Sequence, residues 1–256
     1  MSKSAAHQIP WTSYEAWART QWSAVHGPGA GNSVQYKDLA AAAGYAPQRL
    51  VKQKRAAAVP IYAVRDLARG LGIDPIAAVA TFTPIPLTTQ APAPREWITQ
   101  LDPAELHAEL LSRLGHPAPT PDTGAYTPRP HPWAAALLDG PRDQPPVQRG
   151  QRRKHAAHHL LEIPYASLRA KEHRGSWTIP ELVRLCDWAG WHLGLALAVT
   201  GWFTCEELGL NPEQRHSALG QVQAADLVAA IEAGLPDLLA ALDEPRNDLE
   251  HPEQHG

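Results

Sequence analysis

Apolar positions between Val34 and Ala80 recur at helical spacing and fall into four short segments separated by tight turns. The first, LAAAAG, is rich in small residues and stops at Gly44, a residue suited to the left-handed turn that ends a helix. Ala46-Pro47 opens the second, PQRLVKQKR, with proline where its missing N–H costs nothing. Pro60 starts the third, in which Ile61, Val64, Leu67, Ala68 and Leu71 line one face before Gly72 ends it. Asp74-Pro75 caps the fourth, PIAAVATF. Upstream, Trp11–Val25 places Tyr14, Trp17, Trp22 and Val25 near one face and predicts a covering helix.

A small helix, a sharp turn and a basic second helix form the arrangement of a helix-turn-helix. The order of elements, above all IYAVRDLARGLGI followed by DPIAAV, resembles the DNA-binding domain of the lambda-repressor/Cro (XRE-like) family. The resemblance implies that the start of the second motif helix enters the major groove. Those positions are Pro47, Gln48, Arg49 and Lys52, with Gln35 and Tyr36 at the start of the first motif helix. Gln48 can pair bidentately with adenine and Arg49 with guanine, while Lys54 and Arg55 suit phosphates.

The same pattern returns 118 residues later without a gap, Arg152–Ala198 falling on Val34–Ala80. Leu50, Ile61, Leu67, Gly72, Ala78 and Ala80 meet Leu168, Ile179, Leu185, Gly190, Ala196 and Ala198, and Val64 meets Leu182. Thr178-Ile-Pro-Glu181 supplies a capping box to the second copy. Decayed identity over a retained apolar pattern suggests two related units with different tasks. The counterparts of the first reading surface are Tyr165, Ala166, Ser167 and Ala170, flanked by Arg169 and Lys171, with Arg152, Arg153 and Lys154 placed for phosphate clamping. A degenerate, purely structural second copy is the plainer alternative.

The fold expected is all-α: two tandem lambda-repressor-like units, each with trailing helices, joined by a proline-rich linker. The first spans 11–115, the linker 116–132, the second 133–243, and an acidic tail 244–256 is expected to be disordered, as are residues 1–10. Asp102-Pro103 restarts a helix with Leu106, Leu110 and Leu111, and Trp133–Leu138 opens the second unit, followed by the linker GPRDQPPVQRG. Gly27–Asn32 reads as a flexible connection and Ser33 as an N-cap; no strand precedes the glycines and no GK[ST] follows, so they do not make a phosphate cradle. The apolar stripe of Gln223–Leu242 reads as core, with a dimerisation face as the alternative.

Composition changes this picture little. Hydrophobic residues make up 44 % of the 256, much of it alanine, which favours helix. The longest apolar run, Ala189–Val199, is too short to span a bilayer, no apolar signal segment opens the chain, and two cysteines make no disulfide framework. A cytoplasmic, membrane-free protein is expected. Charge matters through its distribution. Net charge is −3, yet Val34–Arg55 carries five Lys/Arg against one acid, Arg142–Arg174 eight against three, and Cys205–Gly256 eleven acids against two arginines. Basic motifs beside an acidic C-terminal region point to double-stranded DNA as partner.

Other chemistry is poorly supported. His155, His158 and His159 give HxxHH, but no glutamate follows in the HExxH manner and no third ligand is placed, so no metal or cofactor is expected. No GxSxG or nucleophile–base pair suggests an enzyme. The reading is a sequence-specific transcriptional regulator, a phage-immunity-like repressor, contacting an asymmetric site as one chain. The alternative is an assembly adaptor built on helix-turn-helix folds, antitoxin- or partition-like.

Overall fold

The computed structural model describes residues 8–117, 126–139 and 146–232. It is predominantly helical, with one two-stranded ribbon. In the front half, α1 (Trp11–His26), α2 (Ala30–Ser33), α3 (Tyr36–Ala42), α4 (Pro47–Arg55), α5 (Tyr62–Gly70) and α6 (Pro75–Ala80) follow the predicted segments closely. After an extended strap come α7 (Pro94–Trp97), a single 3₁₀ turn at Ile98–Gln100 and α8 (Pro103–Arg113). The rear half contains α9 (Pro130–Asp139), α10 (Pro146–His155), a π turn at Ala156–Leu160, α11 (Tyr165–Arg174), α12 (Ile179–Ala189), α13 (Leu193–Val199) and α14 (Gln214–Leu219). A last helical stretch covers 224–232. The remainder of the expected Gln223–Leu242 helix and the acidic tail lie outside the described residues, as do 1–7 and parts of both proline-rich connections.

The helix starts are written in local chemistry. Asp74 Oδ1 accepts from the backbone of Ile76 at 2.8 Å and Ala77 at 3.3 Å, and Asp102 Oδ1 from Ala104 at 2.8 Å. The Thr178/Glu181 capping box forms, Thr178 N–H donating to Glu181 Oε2 at 2.8 Å and Glu181 N–H to Thr178 Oγ1 at 3.4 Å. Each of these satisfies N–H groups that a helix leaves without an internal partner.

Four local expectations are corrected. Gln8–Pro10 is a strand, β1, paired antiparallel with β2 (Ala58–Pro60) so that Ile9 faces Val59. Ile9 is buried in the core, so the N-terminal segment is pinned from Gln8 onward. Ser33 ends α2 instead of capping α3; the backbone N–H of Gln35 donates to Asp38 there at 3.1 Å. The glycine connection is fastened to α1, because Arg19 donates to Gly31 O at 2.7 Å and Gly31 N–H to Ser23 Oγ at 2.8 Å. Finally, α10 begins at Pro146, inside the expected linker, since proline fits the first helical turn.

Front and rear halves coincide helix by helix under the 118-residue shift: α4 falls on α11, α5 on α12 and α6 on α13. Backbone conformation repeats as well. Gly44 (φ 69°), Ala57 (φ 52°) and Gly72 (φ 69°) correspond to Glu162 (φ 55°), Gly175 (φ 60°) and Gly190 (φ 64°). Ala57 and Glu162 are the two non-glycine residues at positive φ among the described residues, and each sits where the other half has glycine. That conformation costs an L-residue energy. It is therefore the turn geometry that recurs, whichever residue occupies it. At Ala57 the turn reverses the chain from α4 into β2, and its carbonyl accepts from Trp11 N–H at 3.1 Å.

One apolar core runs through both halves. Tyr14, Leu39, Leu50, Ile61 and Leu67 fill the front, and Leu168, Ile179, Leu182, Leu185 and Phe203 the rear. Between them lie Trp97, Ile98 and Leu101, on helical turns that pack against α9 and α14. Arg65 donates to Gly201 O and Trp202 O at 3.1 and 3.0 Å, Arg69 grips Glu207 at 2.6 Å, and buried Glu96 accepts from His192 N–H at 2.8 Å. No helix among the described residues is long and apolar enough to cross a membrane.

Candidate nucleic-acid interface

Helix α4 stands on the core by one residue. Leu50 is fully buried, whereas Pro47, Gln48, Arg49, Lys52, Lys54 and Arg55 are all exposed. Nothing acidic lies within the helix, so every charge on its outer face is positive. Lys52, Arg55 and Gln48 extend from it without a partner among the described residues. Gln35 is also exposed, at the start of α3 beside this face.

Two cations on this face rest on tyrosines. The Arg49 guanidinium lies 3.7 Å from the ring centre of Tyr45 and 5.3 Å from that of Tyr62. Lys54 Nζ sits 4.6 Å above the Tyr36 ring and donates to the Tyr36 hydroxyl at 2.6 Å. That hydroxyl in turn donates to Glu15 Oε1 at 2.9 Å. Burial alone would raise the Glu15 carboxyl, but hydrogen bonds from Tyr36, Arg19 and Trp11 outweigh it and hold it below the usual carboxylate range. The charged Glu15 thereby anchors Tyr36, and the Tyr36 hydroxyl raises the Lys54 ammonium above its ordinary value.

The rear surface is built differently. Arg153, expected as a phosphate clamp, points inward: its guanidinium is buried and paired with Asp139 Oδ1 and Glu172 Oε2, both at 2.6 Å. Burial works against its charge, but the two carboxylates prevail and raise its pKa. The reason is registry, since Arg153 faces α9 and α11 from inside the α10 turn that leaves Lys154 exposed and lays Arg152 half-buried against Trp188. Lys171 is likewise engaged, with Glu181 Oε2 at 3.0 Å and Ser176 O at 3.2 Å. Arg152 lies 4.4 Å over the Trp188 ring, and burial pulls its guanidinium below the usual range, with Asp139 pulling the other way. Lys154 and Arg169 remain exposed; Tyr165 and Ser167 are half-buried. Comparison with protein-family models, curated proteins and solved structures finds no match.

Sequence reasoning passed over the residues that divide the two halves. Tyr45, Tyr62 and Asp66 were not among the expected contact residues, because an aromatic residue at a turn and aromatic and acidic side chains on the neighbouring helix α5 read as packing. A clue lay in the alternation of tyrosine with cations, which marks surfaces that hold guanidinium groups by their faces. Trp188 was missed for a different reason: its counterpart is Gly70, and a Cβ there would fall 1.7 Å from Ala42 O. In the front half α3 and α5 touch backbone to backbone at that point. In the rear half an indole occupies the place, stacked beside His155, and the chain passes it in the π turn at Ala156–Leu160. Such one-residue bulges cluster at functional or strained positions. His155 and His159 do approach each other, ring centres 5.2 Å apart, but no three potential ligands converge on a metal position among the described residues.

Proposed function

We propose that this chain is a sequence-specific double-stranded-DNA-binding regulator of the lambda-repressor-like helix-turn-helix kind, a cytoplasmic repressor. The observation that carries the reading is α4: a helix whose one buried residue is Leu50, entered through a sharp turn at Gly44, with Gln48, Arg49, Lys52, Lys54 and Arg55 all exposed on its outer side. Gln48 and Arg49 lie in its first turn, the part that reaches base edges in such motifs, and Lys52, Lys54 and Arg55 follow at spacing suited to phosphates. The rear half is a second, diverged copy whose exposed cations are Lys154 and Arg169, with Arg152 half-buried against Trp188. Two buried free cysteines, Cys186 and Cys205, fit a reducing compartment.

The test is retention on duplex DNA across a salt series. With about 6–10 phosphate contacts, affinity falls by roughly 10³–10⁵ between low and physiological salt. Affinity that is flat over that range defeats the proposal. An adaptor acting on protein partners is favoured instead if duplex binding is absent, and the internal engagement of Arg153 and Lys171 is the feature that supports it for the rear half.

A further inference from the structure

The Arg49 guanidinium is one end of a continuous polar chain. Tyr45, on whose ring it lies at 3.7 Å, donates its hydroxyl to Asp66 Oδ2. Asp66 Oδ1 is held by Arg65, Nε at 2.8 Å and the terminal nitrogen at 2.7 Å. Arg65 then reaches across to the carbonyls of Gly201 and Trp202 in the rear half. The Tyr45 hydroxyl and the Arg65 guanidinium both find acceptors in this relay, and the bond to Asp66 tethers the Tyr45 ring.

The fold does not require the relay. Under the 118-residue shift Tyr45, Arg49, Arg65 and Asp66 correspond to Ile163, Ser167, Val183 and Arg184, yet the rear half forms the same helices over the same spans. An aliphatic residue in place of Tyr45 is therefore compatible with the architecture, and the front half retains something the architecture leaves free. A guanidinium stacked on an aromatic face keeps its in-plane N–H groups directed outward, in the fork that matches guanine O6 and N7. Stacking removes the rotamer freedom that Arg49 would otherwise lose on binding.

We propose that Tyr45 is a positioning residue for Arg49, held by Asp66 and Arg65, and that it sets base preference at the one position Arg49 reads. The inference rests on the DNA-binding reading above. It assigns no base contact to Tyr45 itself.

The experiment uses the full chain and a duplex that the wild type selects from a randomised pool. Binding is measured on that duplex, on single-base variants of it and on a scrambled duplex, and thermal unfolding is followed for each variant. Tyr45→Leu is expected to reduce the preference at one base position by about two- to fivefold, the value of an exposed cation–π contact. Binding to the scrambled duplex should stay within experimental error. Tyr45→Phe, which keeps the ring and loses the tether to Asp66, should fall between wild type and Tyr45→Leu, and Arg65→Ala should behave like Tyr45→Phe. Preference unchanged in Tyr45→Leu overturns the proposal, as does a uniform loss on all duplexes that tracks a fall in melting temperature. A wild type that retains no duplex even at low salt overturns the DNA-binding reading itself, and with it this assignment.

Discussion

Arg153 gives the sharpest contrast between a surface role and an internal one. Its side chain is 10 % exposed and that of Glu172 3 %, with Asp139 at 31 % on the solvent side. Removing one member of such a buried pair strands the other charge, at a cost of about 3–5 kcal/mol. The half-exposed Asp139 adds little to this, because water screens it. For a chain of this length each kcal/mol moves the melting temperature by about 2–4 °C. Arg153→Ala and Glu172→Ala should therefore each lower it by about 6–20 °C, followed by far-UV circular dichroism. The double replacement Arg153→Met/Glu172→Leu removes both charges together and fills the space, so it should recover most of the loss. Well below the melting temperature, Arg153→Ala should bind duplex DNA as the wild type does. A melting temperature within a degree of wild type, combined with weakened DNA binding, would refute the internal role and restore Arg153 to the phosphate surface.

Further outcomes follow from the same geometry. Arg49→Ala should cost about 1–3 kcal/mol on the preferred duplex and relax one base position, whereas Lys54→Ala should weaken all duplexes alike; selection from a random pool separates the two. Gly70→Ala, a substitution that ordinarily favours a helix, should destabilise the chain because the new Cβ would fall 1.7 Å from Ala42 O; its calorimetric transition should drop, while Trp188→Ala, its counterpart, should leave α12 intact. Burial lowers the His192 pKa, so the stability it contributes is present above histidine's ordinary range and is lost as pH falls through the folded value; melting curves of His192→Asn, which can still cap α13, should lack that acid-side loss. Footprints should show a nonpalindromic site holding one chain, with alanine at Gln48/Arg49 and at Arg152/Lys154 damaging opposite ends about 34–36 Å apart.

What could be read from the sequence was whatever local chemistry decides. Prolines 47, 75 and 103, the Asp74 and Thr178 caps and the glycines 44 and 72 fix their turns within a few residues, and each helix begins or ends where they require. The 118-residue register was legible for the same reason, since apolar spacing determines which face of a helix is buried. Contacts between distant segments were not. Nothing local distinguishes Arg153 from Arg152 or Lys154, and only the arrival of Asp139 and Glu172 from other helices turns one of three neighbouring cations inward. The strand at Gln8–Pro10 was hidden likewise, because its ladder partner lies at Ala58–Pro60. Tyr45 was legible as an aromatic residue at a turn, but its office as a platform depends on α5 presenting Asp66 beneath it.

The seam between front and rear halves makes the chain resistant to being parted. Trp97, Ile98, Leu101 and Leu106, which precede residue 117, are buried where α9 and α14 pack, and Arg113 donates to the carbonyls of Leu219 and Val222 from the same side. His216 returns the contact by reaching Glu105 at 2.8 Å. A protease cut soon after residue 117 would release no freely diffusing piece, for the fragments would stay joined through this surface. Produced from two separate genes, the same pieces should be poorly soluble alone and should reassemble when mixed, a behaviour that size-exclusion chromatography would register as a single peak at the mass of the uncut protein.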